Sequence, residues 1–127
     1  MVQASVACKK ALADVTAVCP GRDRSYDGII GDDAHQKRKS DHNSGNAFDL
    51  THDPEHGVDC HFFAQLALLD YRVTYVIWNK KIYNKAAAAK GWLPYKGTNG
   101  HTHHMHVSIK DTLRCVASPW PWASLEL

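Results

Sequence analysis

No run of about 18 apolar residues occurs in this chain, so a transmembrane helix of ordinary length is not expected. The first residues, Met1-Val2-Gln3-Ala4-Ser5, lack a basic segment followed by an apolar core. Lys9, Lys10 and Asp14 interrupt what comes next, so a secretory signal is not expected either. The four cysteines show no Cys-x-x-Cys spacing. On a shared helix, Cys8 and Cys19 would stand roughly 16 Å apart along the axis, beyond the roughly 7 Å between Cα atoms that a disulfide spans. Buried free thiols, made in a reducing compartment, are the expectation, with a bridge involving Cys60 or Cys115 as the alternative. Neither sign of charge dominates. A formal net charge of +2 is too small to argue for a nucleic-acid partner, and Lys37-Arg38-Lys39 and Lys80-Lys81 read as solvated faces. No internal repeat or low-complexity linker is present, so the 127 residues read as one domain, residues 1–127.

What the chain has in excess is histidine: nine in all, four of them between His101 and His106. The rest of the pattern predicts an α+β domain, a small, mainly antiparallel sheet fed by hairpins with helices against one face. Val6 to Cys19 has the i, i+3, i+4 spacing of an amphipathic helix. Cys8, Ala11, Leu12, Val15 and Val18 lie on its apolar face, Lys9, Lys10 and Asp14 on the other, and Ser5 is the N-cap. A second helix is expected from Cys60 to Asp70, capped by Asp59. Strands are expected at Ala47–Thr51, Val73–Trp78, Lys81–Asn84 and Met105–Ile109. Gly91–Gly97 reads as an irregular rim, and the Pro-Trp-Pro-Trp tail as a segment packed across the core. The long polar connection from Gly21 to Lys39, with Ile29 and Ile30 as its only apolar anchors, is expected to wall a substrate cleft. His35, His52, His56 and His61 read as loop or surface residues.

The stretch Ser40-Asp41-His42-Asn43-Ser44-Gly45-Asn46-Ala47-Phe48-Asp49-Leu50 holds a histidine and a carboxylate seven positions apart, separated by a glycine bend. Imidazole and carboxylate are both good zinc ligands, but a catalytic zinc needs three protein ligands with a further position open to water. The third is expected from Gly100-His101-Thr102-His103-His104-Met105-His106-Val107. On a strand, His104 and His106 share one face, about 7 Å apart, while His103 and Met105 point the other way. One imidazole of such a pair binds metal while its neighbour stands beside the reacting water. That arrangement suits hydrolysis, since zinc lowers the pKa of its water to about 7 and a neighbouring base takes the proton. His101 or His104, as imidazolium, is expected to donate to the developing oxyanion.

Ser40-x-His42-x-x-Gly45-x-Ala47-x-Asp49 resembles the Ser-x-His-x-x-Gly-x-Ala-x-Asp signature of the M15-like, or LAS, zinc peptidases. His101-x-x-His104-x-His106 is similar to the ending of the penicillin-insensitive murein endopeptidase branch, and the surroundings resemble peptidase domains of phage endolysins over roughly residues 20 to 110. The resemblance implies a LAS-type fold with zinc (Zn2+) in a cleft on the sheet, bound by His42, Asp49 and His106. It implies His104 in the catalytic position and His101 in an accessory one. Several relatives place Glu or Asp in the catalytic position, where this chain offers only histidines. Ser40 and Asp41 are candidates for fixing the His42 tautomer, and Arg38 for holding a substrate carboxylate. The expected function is a zinc metallopeptidase hydrolysing a peptide bond in peptidoglycan stem peptides or cross-links, in the manner of an endolysin. Such a protein would be a monomer made in the host cytoplasm that acts on the bacterial cell wall, with no nucleic-acid partner and no membrane insertion. The alternative is a non-catalytic, zinc-containing wall-binding module.

Overall fold

In the computed structural model, which describes residues 3–29, 44–97 and 99–126, the chain forms an α+β domain. Helix α1, Val6–Val18, begins where Ser5 accepts a hydrogen bond from the Cys8 amide and ends at Cys19, just before Pro20. Ala7, Cys8, Ala11 and Val15 form its buried stripe. Asp14, assigned by spacing to the polar face, is instead buried: it pairs with Lys10 at 2.7 Å and accepts from the Trp120 amide at 2.9 Å. Helix α2, Cys60–Leu68, is capped by Asp59, which accepts from the His61 amide.

Strands β1 (Ala47–Thr51), β2 (Val73–Trp78), β3 (Lys81–Asn84), β4 (Trp92–Pro94) and β5 (His104–Ile109) form an antiparallel sheet in the order β1-β5-β2-β3-β4. The expected irregular rim is thus partly strand: Trp92–Pro94 pairs with Lys81–Tyr83 and makes the edge of the sheet. Asn79 and Lys80, at φ 53° and 66°, form a two-residue turn between β2 and β3, with the left-handed backbone that matches the twist of a hairpin.

Strand alternation gives the sheet two unlike faces. Phe48, Leu50, Val76, Met105 and Val107 join Ala11, Val15, Phe63, Ala64 and Ala67 of the helices in one apolar core. The carboxy-terminal tail closes that core. Trp120 and Trp122 stack at 5.3 Å, and their indole nitrogens donate to the Ala7 and Ala11 carbonyls. Buried Arg72 lies 4.1 Å over the Trp120 ring, is paired with Asp70 at 2.7 Å, and donates to the Val116 and Ser118 carbonyls. A buried charge so fully bonded is strongly destabilising to truncate, because its partners would be left unpaired. The cysteines are free thiols; Cys8, Cys19 and Cys60 are buried, and Cys115 is exposed where a buried thiol was expected. Burial pushes the Cys8 thiol up to about 11 and that of Cys60 to about 12. Among the described residues, no helix is long and apolar enough to cross a membrane.

Candidate metal centre

The opposite face of the sheet carries the polar residues that the sequence singles out. Asp49 on β1 stands directly opposite His106 on β5, and Thr51 opposite His104, so one face presents Asp49, His104 and His106 together. Asp49 Oδ1 lies 3.5 Å from His106 Nδ1, and Asp49 Oδ2 lies 3.7 Å from His104 Nε2. Asp49, His101 and His104 each offer a ligand atom within 4.8 Å of the others. Two ligands each about 2.0–2.2 Å from a tetrahedral zinc are roughly 3.5 Å apart, close to the separations of Asp49 from His106 and from His104.

Each ring is held by its surroundings. His106 is buried, stacks on Tyr75 at 5.5 Å, and places Nε2 2.7 Å from the buried Ser108 hydroxyl. The hydroxyl can accept as well as donate, and the tautomer in which Nε2–H donates to Ser108 is the one that keeps the Nδ1 lone pair on the Asp49 side. A ligating histidine needs that orientation. His104 is stacked on by Tyr26 at 5.7 Å. His101 sits in the left-handed region at φ 54°, an uncommon backbone for a side chain of its size. The turn over-determines it: Asn99 Oδ1 accepts from the His101 amide, and the His101 carbonyl accepts from Asn79 of the β2–β3 hairpin. Its ring packs 5.0 Å from His104 and 5.6 Å from His106.

His101 is buried, and its Nδ1 has no hydrogen-bond partner among the described residues. Burial first, then the His106 imidazole, pushes its pKa down to about 4. The expectation of an imidazolium at this position therefore gives way to a neutral ring at neutral pH. His103 is exposed, lies just outside β5, and shares the Tyr26 ring with His104.

The described part of the 21–39 connection stands beside this face. Gly28 bridges Asp49 through two backbone hydrogen bonds, and Tyr26 covers His103 and His104. Its main anchor is polar. Buried Arg22 grips both oxygens of Asp27, and Asp27 accepts from the amide and hydroxyl of Thr51. Ile29 packs against the core from a half-buried position, as expected of it. Nothing in the local sequence marks Arg22 and Asp27 as partners. At the other end of the connection, Gly45 adopts φ +75°, and a Cβ there would collide with the Gln3 carbonyl, so the glycine of the motif is a steric requirement. His42, Ser40, Asp41, Arg38, His35 and Ile30 lie outside the described residues.

A second grouping, His52, Asp59 and His61, also brings ligand atoms within 4.8 Å of one another. His52 is half-buried rather than exposed, its ring 4.8 Å from that of Trp78, while His56 is exposed and bonded to Asp53. In this grouping the Cys60 amide donates to His52 Nδ1 at 3.0 Å, and the Trp78 indole donates to His61 Nδ1 at 3.1 Å. Both donors are fixed, so each neutral ring carries its hydrogen on Nε2 and offers no free lone pair. This cluster is a poor metal site for that reason.

A family model described as VldE, C-terminal domain, matches residues 5–106, a span that runs from α1 to the last histidine of the cluster. No curated protein and no solved structure matches the chain significantly.

Proposed function

The chain belongs to the VldE, C-terminal domain, family, and for this member of it we propose a zinc metallopeptidase that hydrolyses a peptide bond in peptidoglycan stem peptides or cross-links. The observation that carries the reading is Asp49 lying 3.5 Å from His106 and 3.7 Å from His104, with the far nitrogen of His106 held by Ser108. The resemblance to M15-like zinc peptidases supports it, because the two spaced motifs contribute these same side chains.

In this reading Asp49 and His106 hold the ion together with His42 from the motif. Zinc supplies Lewis acidity and an acidified water when bound. His104, beside Asp49 and under Tyr26, accepts the proton of the attacking water and returns it to the leaving amine. His101 stays neutral and donates a hydrogen bond toward the oxygen on which charge develops. Gly45 and the Asn99 turn keep the two halves of the site in register. Ser40 and Asp41 orient His42, and Arg38 meets a substrate carboxylate. The protein acts on the bacterial cell wall in an endolysin-like role, as a monomer, without a nucleic-acid partner or membrane insertion.

Digestion of purified peptidoglycan, with and without a chelator and with zinc restored, tests the proposal. The expected result is chelator-sensitive release of peptide fragments whose new termini, read by mass spectrometry, identify the bond. Folded, zinc-loaded protein that releases nothing from any wall chemotype would instead favour a binding module.

A further inference from the structure

On the core face of the sheet, away from Asp49, a cavity of about 200 Å³ opens between α2 and the β3–β4 edge, lined by His61, Gln65, Trp78, Asn79, Lys81 and Trp92. No aliphatic side chain lines it. Trp92, on the edge strand, is only half-buried, and Tyr83 packs against it in a T-shaped contact at 5.6 Å. Trp78 is nearly buried, and its indole hydrogen is spent on His61, so it offers a wall and not a donor. That same bond fixes His61 as a donor through Nε2–H. Gln65, Asn79 and Lys81 are exposed. The cavity thus combines an aromatic platform, two amides that donate and accept, and two further donors, with no carboxylate among its lining residues. Its volume lies below the roughly 300–1,000 Å³ typical of sites for drug-sized ligands and suits a single ring.

We propose that this cavity is a saccharide subsite that holds one N-acetylated hexosamine of the wall glycan, on the sheet face opposite the metal centre. The apolar face of the pyranose stacks on Trp92. Gln65 and Asn79 pair with the acetamido group and hydroxyls, and Lys81 and His61 donate to the remaining oxygens. The geometry calls for a pyranose with an amide substituent, and the choice of the wall glycan as its source rests on the cell-wall reading above. A contact on the far face would keep the enzyme on the polymer while the peptide-cleaving face turns over.

The test is titration of chelator-treated protein with chitotetraose, followed by the indole N–H resonances and tryptophan fluorescence. Chelator treatment separates this proposal from the metallopeptidase reading, since saccharide binding needs no zinc and wall digestion does. The expected result is saturable perturbation of the Trp92 signal with a dissociation constant of about 1 mM, weakened about tenfold or more in Trp92→Ala and in Gln65→Ala. Gln65 is an exposed helix residue, so its variant keeps the test valid if Trp92→Ala fails to fold. No perturbation at concentrations about tenfold above that constant would overturn the proposal. Perturbation that survives both substitutions would overturn it as well, and equal binding of cellotetraose would overturn the hexosamine assignment.

Discussion

The two histidine groupings of this protein have nearly the same ingredients and different chemistry. Each has a carboxylate and at least two imidazoles with ligand atoms within 4.8 Å of one another. In the group around His52, Asp59 and His61, backbone and indole N–H donors occupy the Nδ1 atoms, and the rings act as hydrogen-bonding parts of the fold. In the group around Asp49, the far nitrogen of His106 meets a serine hydroxyl, a partner that accepts as readily as it donates. Proximity of ligand types therefore does not define a metal centre. What the second nitrogen of each ring is bonded to decides whether the first has a lone pair to give.

The largest effect is expected where one ligand-type side chain is removed from each group. Asp49→Asn should reduce an equimolar zinc content to background, measured by metal analysis after dialysis, and should abolish wall hydrolysis. His52→Asn should leave the zinc content as it was. Zinc retained by the first variant, or lost by the second, would reverse the assignment of the two groups. Next in size is His104→Ala. It should keep zinc and lower the hydrolysis rate by about 10²–10⁴-fold, the contribution of a positioned general base. Loss of zinc in that variant would make His104 a ligand instead. Smaller again is Ser108→Ala, which removes the hydrogen-bond partner of the far nitrogen of His106. The expected cost is about 10–100-fold in zinc affinity, read by competition with a chelating dye, with the fold retained.

How much of this was legible in the sequence varies with the range of the forces involved. Strand Val73–Trp78 was legible because β-branched and aromatic residues in a run specify extended chain locally, and Ala47–Thr51 and Lys81–Asn84 because a glycine bend and the Asn79-Lys80 turn precede them. The caps Ser5 and Asp59 were legible because a cap is a contact between near neighbours. The shared face of His104 and His106 followed from strand alternation alone. Strand β4 was not legible: three residues ending in proline carry no period, and the segment is extended because the hairpin delivers it beside β3. Burial of Asp14 was hidden for a similar reason. Helical spacing gives the face of a residue but not the Trp120 amide, 106 positions away, that donates a hydrogen bond to its carboxylate there. The neutral state of His101 was also out of reach, since it arises from burial among rings that only the folded β5 and its preceding turn assemble.

The smallest predicted effect concerns the grouping that does not bind metal. Burial, the leading cause, holds the His52 pKa below its ordinary value of 6.5, against the opposing pull of Asp59 and Asp53. The unfolded chain therefore binds the proton more readily than the folded one. Stability from this residue is complete above about pH 6.5 and is lost as the pH falls from there through the folded value. Protonation also takes the Nδ1 lone pair that accepts the Cys60 amide at the start of α2, so the loss should be felt at that helix end first. Thermal melts of the zinc-free protein at stepped pH from neutral into acid should show a decline that is shallower in His52→Asn, whose side-chain oxygen replaces the acceptor without titrating. Measuring the difference between the two chains removes the acid sensitivity contributed by His101, which both share. Identical pH slopes would mean that His52 contributes no pH dependence. Earlier loss of amide exchange protection at the Cys60 end of α2 in the unsubstituted chain would tie the effect to that single hydrogen bond.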